Sequence, residues 1–150
     1  MASVTRRRTV PAPVAAVWEL VSDPYNLPRW WPRTARVENV EQRGSGRRSQ
    51  WTQVLETAEG RGVRADFRCV SAAEDERYVW EQELEGTPFA KHLRASRVEI
   101  GLAERGGGTE VELTSEQSLR GMSRLGGRLM RRGQRSILEQ ALDGIERALT

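Results

Sequence analysis

The sequence is poor in the residues that build metal clusters, disulfides and many nucleophilic sites. Its 150 residues contain one cysteine, Cys69, and one histidine, His92. A single cysteine excludes an internal disulfide, and one cysteine with one histidine excludes a Cys/His zinc cluster. Cys69 has no histidine or lysine near it in the sequence, which indicates a small buried residue rather than a nucleophile. We expect neither a metal nor a cofactor.

Long apolar runs are also absent. No segment approaches the roughly 20 apolar residues of a membrane helix. The charged N-terminal segment is not followed by the apolar run of a signal peptide. We therefore expect no membrane span and a cytoplasmic location. The length fits a single domain over residues 1–150, and such a domain needs no metal or disulfide to fold.

Lysine is nearly absent, since Lys91 is the one lysine among 24 basic residues. The 21 acidic residues leave a net charge of only +3, and most arginines stand near an acidic residue. Nucleic-acid-binding proteins concentrate basic charge on one face, so we expect no nucleic-acid partner. The exception is a basic run near the C-terminus: Arg124, Arg128, Arg131, Arg132 and Arg135. A solvated face and a contact with an anionic partner are both open for this run.

Local patterns predict the first three elements. A short strand is expected over Val4–Val10, although three consecutive arginines interrupt its alternation. A helix follows, because apolar residues then recur at helical spacing. These residues are Val14, Val17, Trp18 and Val21. Asp23-Pro24 ends that helix, and a second short helix is expected before Pro32.

Six strand-like runs follow, joined by short turns. They cover residues 34–42, 48–57, 63–70, 77–84, 89–103 and 109–118. The turns are RGSG at 43–46, AEGRG at 58–62, an acidic loop at 72–76, EGTP at 85–88 and ERGGG at 104–108. This order predicts an antiparallel meander. Alternation leaves one face apolar and the other with interleaved Arg and Glu, where opposite charges on neighbouring strands pair.

The last segment changes period. Apolar residues recur every three to four positions from Leu125 to Leu149, which predicts one long helix. Gly126, Gly127 and Gly133 weaken its first half, each by roughly 1 kcal/mol relative to alanine.

Particular segments resemble the START-like (SRPBCC) superfamily, and within it the polyketide cyclase/dehydrase-type proteins of bacteria. The matching segments are TVPAPVAAVWELVSDPYNLPRWWP at 9–32, the meander, and GMSRLGGRLMRRGQRSILEQALDGIERAL at 121–149. The resemblance implies an α+β helix-grip fold. In that fold a curved antiparallel sheet of about seven strands wraps around a long C-terminal helix, with two short helices after strand 1. It also implies an apolar cavity between the sheet and the long helix.

Three functions are compatible with this resemblance. The first is binding of a small hydrophobic or amphipathic molecule, lipid-, polyketide- or isoprenoid-like, in that cavity. The second is a polyketide cyclase/aromatase or dehydrase acting in the same cavity. The third is an interaction protein that uses the basic helix or a sheet edge. The chain is expected to be a monomer or a homodimer.

The resemblance also implies which apolar residues line the cavity. Trp51, Phe67, Trp80 and Phe89 are expected to point from the sheet toward the helix, with Met122, Leu125, Leu129 and Met130 facing them near the mouth. Aromatic and methionine side chains around a concave space form an adaptable ligand site. The alternative is that these side chains simply fill the core. For Trp30 and Trp31, we expect one ring at the base of the core and one at the surface, rather than a gate.

Polar residues are predicted on the same inner face. They are Gln53, Gln82, His92, Arg94, Ser96, Ser115 and Gln117. A packed apolar core disfavours such groups unless they are hydrogen-bonded, so they favour a partly wet pocket that orients a ligand. Solvated strand ends are the alternative. His92 is the candidate general acid or base, and Arg94 is the candidate partner of a ligand carboxylate or enolate. A solvated histidine and an arginine paired with a glutamate are the competing interpretations.

Overall fold

Seven antiparallel strands form one sheet in the computed structural model, which describes residues 2–41, 49–57, 60, 62–121 and 124–150, without the side chains of residues 124 and 125. The strands are β1 (Ala2–Val10), β2 (Thr34–Glu41), β3 (Gln50–Glu56), β4 (Gly62–Ala73), β5 (Arg77–Glu83), β6 (Leu93–Arg105) and β7 (Gly108–Leu119). Their order in the sheet is β1-β7-β6-β5-β4-β3-β2. The predicted meander of β2 to β7 is confirmed. The first strand pairs with the last, so β1 and β2 are the two edges of the sheet.

The helices occupy the predicted places. They are α1 (Val14–Val21), α2 (Leu27–Trp30) and α3 (Arg124–Leu149), with a 3-10 turn at Pro24–Asn26 between α1 and α2. The Asp23 side chain accepts a hydrogen bond from the Tyr25 backbone N–H at 3.0 Å and so starts that turn. With 26 residues, α3 is about 39 Å long. The α+β helix-grip architecture expected from the resemblance is confirmed.

The core lies between the inner face of the sheet and the second half of α3. A single stripe of that helix is fully buried: Leu138, Ala141, Leu142 and Ile145. Gly144 continues the buried side, and a Cβ built there would lie 2.3 Å from the backbone oxygen of Trp30. Glycine therefore lets α3 approach the backbone of α2 more closely than any other residue would.

Charged side chains pair across neighbouring strands on the outer face, as the alternation predicts. Arg7 on β1 lies 2.5 Å from Glu112 on β7, and Arg68 on β4 lies 3.2 Å from Glu83 on β5. Arg77 on β5 pairs with Glu99 on β6. Exposed pairs of this kind contribute little stability individually.

The arginines of β1 have a structural explanation that the sequence pattern did not reveal. Arg8 lies on the side of β1 that faces α3 and contacts three acidic residues of that helix. These are Glu139 at 3.0 Å, Asp143 at 2.5 Å and Glu146 at 3.2 Å. Because β1 is an edge strand, the guanidinium remains partly solvated while it is paired, so the interrupted alternation is compatible with a strand.

Several expectations about boundaries need correction. Residues 88–91 form a 3-10 turn, so β6 begins at Leu93 and not at Phe89. Ala72 and Ala73 belong to β4, which shortens the acidic loop to residues 74–76. The RGSG turn at 43–46 and three residues of AEGRG (58, 59 and 61) lie outside the described residues. No helix in the described ranges combines the length and hydropathy needed to cross a bilayer.

Candidate functional site

A cluster of aromatic rings lies on the inner face of the sheet, centred on Trp80. The ring centroid of Trp80 lies 5.3 Å from that of Trp31, 6.0 Å from those of Trp30 and Trp51, and 6.2 Å from that of Tyr78. All four contacts are edge-to-face, the geometry that aromatic quadrupoles favour. Trp80 is 2% exposed. It therefore connects the sheet to α2.

Two rings extend this cluster along the sheet. Phe67 on β4 stacks on Trp51 of β3 with centroids 6.0 Å apart and an angle of 14° between the planes. Phe67 is only half-buried, whereas Trp51 is 2% exposed. At the other end, the Trp18 ring meets Tyr78 edge-on at 6.0 Å. All five tryptophans of the chain thus belong to one contiguous aromatic cluster.

A buried amide lies beside the stacked rings. The indole N–H of Trp51 donates to Gln53 Oε1 at 3.1 Å, and Gln53 Nε2 donates to the hydroxyl of Thr34 at 3.2 Å. Gln53 is 1% exposed. An amide side chain has two N–H donors and two acceptor lone pairs. These two bonds fix the orientation of Gln53 and, within the described residues, leave one donor and one lone pair for a further partner.

A second polar group joins α3 to the sheet. The Ser115 hydroxyl donates to Gln134 Oε1 at 2.5 Å, and Gln134 Nε2 donates to Gln117 Oε1 at 3.2 Å. Gln117 Nε2 then donates to the Ser96 hydroxyl at 3.2 Å. We call this chain of hydrogen bonds the Ser115–Ser96 relay. It runs from β7 to α3, back to β7 and on to β6. Through Gln134, the relay joins α3 to the sheet by hydrogen bonds and not by apolar packing.

Gln134 was missed by the sequence reasoning, although a signal existed. It stands four residues before Leu138 and eight before Leu142, on the inward stripe of α3. A polar residue on an otherwise apolar helical stripe indicates a hydrogen-bond partner inside the fold.

The sheet opens between β5 and β6. Their pairing ends at Glu81 opposite Arg97, although β5 stays paired with β4 as far as Glu83. A cleft of about 360 Å³ occupies the gap. Its lining is mostly polar: Arg68, Glu81, Gln82, Glu83, Leu84, Glu85, Arg94, Ala95, Ser96, Arg97 and Glu116. Side chains from both faces of the sheet line the cleft, because Gln82 and Ser96 alternate with outward-facing neighbours.

The structure brings six of the predicted site residues onto one face. These are Trp51, Gln53, Phe67, Trp80, Gln82 and Ser96. Trp51, Gln53 and Trp80 are fully buried. Ser115 and Gln117 join them through the Ser115–Ser96 relay. Trp30 is buried and Trp31 is half-buried against the core.

Other predicted site residues differ from the expectation in their exposure or in the element that carries them. His92 and Arg94 are both exposed, and an irregularity in the pairing between Leu93 and Ala95 interrupts the alternation that was used to place Arg94 inside. Phe89 is half-buried in the 3-10 turn rather than on a strand. Arg94 lines the cleft between β5 and β6.

The residues near or on α3 that were expected to face the sheet at the cavity mouth differ in their burial. Leu129 is 61% exposed, so it does not face the sheet. Met130 is half-buried on α3. Met122 lies outside the described residues, and so does the side chain of Leu125.

Burial changes the pKa of one hydroxyl group on the inner face, that of Tyr78. Burial, the largest contribution, raises the pKa of the Tyr78 hydroxyl well above its ordinary value of 10, and the nearby Cys69 adds to this effect. Tyr78 is therefore neutral near pH 7. Cys69 is buried, as expected, and its thiol donates to the backbone oxygen of Ser71 at 3.4 Å. Among the described residues, no three His, Cys, Asp or Glu side chains lie close enough together to hold a metal ion.

Comparisons with known proteins agree with this architecture. A family model described as "Polyketide cyclase / dehydrase and lipid transport" matches residues 1–150. A START superfamily protein from Mycobacterium smegmatis has a similar structure, with a TM-score of 0.80 at 16% identity over 99% of this chain and 97% of that one. A protein from Thermus thermophilus has a TM-score of 0.72 at 24% identity over 98% of this chain and 96% of that one.

A polyketide-pathway protein is also similar. The di-domain ARO/CYC StfQ from the steffimycin biosynthetic pathway has a TM-score of 0.80 at 13% identity, over 99% of this chain and 50% of that one. No curated protein matches the sequence. At these identities the structural likeness shows the fold alone, whereas the family model covers the whole chain. The chain therefore belongs to the family described as polyketide cyclase / dehydrase and lipid transport proteins.

Proposed function

We propose that this protein binds a small hydrophobic or amphipathic molecule, lipid-, polyketide- or isoprenoid-like, between the inner face of the sheet and α3. The observation that carries the proposal is the combination of aromatic rings and amide side chains on one surface. Trp51, Phe67 and Trp80 supply the apolar contact. Gln53 and Gln82 supply the polar contact, and ligand pockets typically combine many apolar side chains with a few placed polar groups.

Polar groups in this region support a ligand rather than a solid apolar core. Among the described residues, Gln53 retains one donor and one lone pair after its two hydrogen bonds. The indole N–H of Trp30 is buried without a hydrogen-bond partner in the described part of the chain. An unsatisfied buried donor costs about 1–3 kcal/mol, and a ligand oxygen would remove that cost.

The opening between β5 and β6 gives such a ligand access to solvent. Gln82 and Ser96 line the inner side of the gap, and the charged side chains of the cleft line its outer side. An amphipathic molecule fits this change from an apolar inner face to a charged cleft, with its apolar part against the rings and its polar end at the cleft.

A binding experiment tests the proposal. Native mass spectrometry is run on the protein mixed with lipids, polyketides and isoprenoids. We expect one molecule bound per chain for the wild type. Ser96→Phe places a large ring on the inner face of β6 and is expected to reduce the bound fraction at least about tenfold.

The matched control is Ala103→Phe, which adds the same ring to an exposed position of the same strand. It is expected to bind like the wild type. Circular dichroism checks that both variants are folded. No bound molecule in the wild type, or equal binding by the two variants, would contradict the proposal.

A cyclase or dehydrase reaction is the second candidate, and the similarity to StfQ favours it. In that case the inner amides would orient a ketone substrate, and His92 or Arg94 would assist from the rim. Both residues are exposed, which weakens a role in proton transfer at a desolvated substrate. Turnover of a poly-β-ketone substrate by the wild type, lost in His92→Ala and Arg94→Ala, would establish this function. Unchanged turnover in both variants would exclude this role for the two residues.

A further inference from the structure

Four arginines of α3 form a stripe along one side of its first half. Arg128, Arg131, Arg132 and Arg135 stand at positions i, i+3, i+4 and i+7, the spacing that places residues on one helix face. Three of them are exposed, and Arg131 is half-buried. Leu129, between them in sequence, is 61% exposed, which makes it the most exposed leucine among the described residues. We call these five residues the arginine stripe.

The arginine stripe weakens the helix that carries it. The spacing brings four like-charged pairs together, and each such pair destabilises a helix. Gly126, Gly127 and Gly133 add further cost in the same turns.

The arginine stripe has little acidic compensation, because Glu139, four residues after Arg135, pairs with Arg6 and Arg8 of β1. None of its four arginines forms an ion pair within the described residues, in contrast to Arg8 and to the outer-face arginines. The reason is visible in the sequence, because the chain contains no Asp or Glu between Glu116 and Glu139. The neighbouring edge strand β1 also contains none. The acids of α3 lie in its second half, where they contact Arg8.

We propose that the arginine stripe docks the protein on an anionic lipid bilayer. A flat surface of negative headgroups matches a row of arginines, and each arginine near such a surface increases binding roughly fivefold. The exposed leucine favours a bilayer, because interfacial helices combine basic residues with apolar ones that enter the headgroup region. RNA fits less well, since α3 contains no aromatic residue on which a base could stack. This proposal is independent of what the inner face binds.

The sharpest test uses the charge geometry of the stripe. The double variant Arg128→Glu/Arg135→Glu converts all four like-charged pairs into Glu–Arg pairs and creates one new like-charged pair, with Glu139. The helix should then become more stable, with the melting temperature raised by at least about 2 °C. Binding to phosphatidylglycerol vesicles, measured by cosedimentation at low salt, should fall at least about 25-fold, since two attractive charges are lost and two repulsive ones are gained. Stability and binding thus change in opposite directions.

The matched control is Arg33→Glu/Arg147→Glu, which changes the net charge equally at two exposed arginines outside the stripe. It should keep most of the vesicle binding. Leu129→Ser should weaken binding to a smaller extent, and wild-type binding should be lost on phosphatidylcholine vesicles and in about 0.5 M salt. Failure of the wild type to bind phosphatidylglycerol vesicles, equal binding by the two double variants, or tighter binding to a synthetic RNA than to the vesicles would overturn the proposal.

Discussion

The close approach of α3 to α2 makes Gly144→Ala the most informative stability variant. The added Cβ would lie 2.3 Å from the oxygen, 2.7 Å from the Cα and 2.8 Å from the carbonyl carbon of Trp30, all of them backbone atoms. Ordinary contacts begin at 3.4 Å. The two helices must therefore separate by about 1 Å, because a peptide backbone cannot rotate away as a side chain can.

Two effects of opposite sign determine how much Gly144→Ala changes the free energy of unfolding. Alanine is the better helix former by about 1 kcal/mol. Overpacking a well-packed interface costs about 1–3 kcal/mol, and a clash with backbone belongs to the upper part of that range. We expect a net destabilisation of about 2 kcal/mol, which corresponds to a decrease of about 4–8 °C in melting temperature for a domain of this size. Near-UV circular dichroism should change as well, because Trp30 is displaced from Trp80.

Gly133→Ala is the matched control on the same helix. A Cβ at Gly133 meets no atom within 4 Å, and the residue is exposed. The same substitution should therefore stabilise the protein by about 1 kcal/mol through helix propensity alone. Urea unfolding followed by far-UV circular dichroism measures both variants. Equal stability of the two alanine variants would refute the reasoning, since it would mean that α3 and α2 are not in contact at Gly144.

Three further predictions concern the aromatic cluster and the charges. Trp80→Ala removes the ring on which four others pack and should lower the free energy of unfolding by about 3–5 kcal/mol in urea titrations, and a loss under about 1.5 kcal/mol would contradict its central place. Arg8→Ala should cost about 1 kcal/mol at low salt and much less in about 1 M NaCl, whereas a salt-independent cost would argue against ion pairing with α3. The Arg36 hydrogen bond, helped by Arg64, lowers the pKa of Glu38 below its ordinary value of 4.5, so its stabilising effect is complete above pH 4.5 and is lost as the pH falls further. Glu38→Gln should therefore reduce the loss of stability between about pH 6 and pH 3, and an unchanged loss would show that the pairing is not formed in solution.

Much of the fold could be predicted from the sequence because its patterns are local. The periods of two and of about 3.6 residues, together with Asp23-Pro24 and the glycine turns, determine the order of elements and the face that each strand buries. The same alternation predicted that Gln53 and Trp80 point inward, which is where both side chains lie.

The errors arise where local pattern and tertiary contact compete. The predicted strand over 89–103 includes residues 89–92, but Pro88 cannot donate to a ladder and starts a 3-10 turn instead. That turn leaves His92 exposed at the rim. Leu129 fits an apolar helical period, yet it stands five residues before the inward-facing Gln134 and so lies about 140° around the helix from it. The contact of Gly144 with α2 has no sequence signal, because only the packing of two distant segments creates it.

The most direct test of the central claim is a crystal structure of the protein with a molecule that native mass spectrometry identifies as bound. The account predicts continuous density between the sheet and α3, against the rings of Trp51 and Trp80. A polar atom of the molecule should lie within hydrogen-bond distance of Gln53 or Gln82. Density confined to the outer face of the sheet, or an interior filled entirely by the protein's own side chains, would contradict the account.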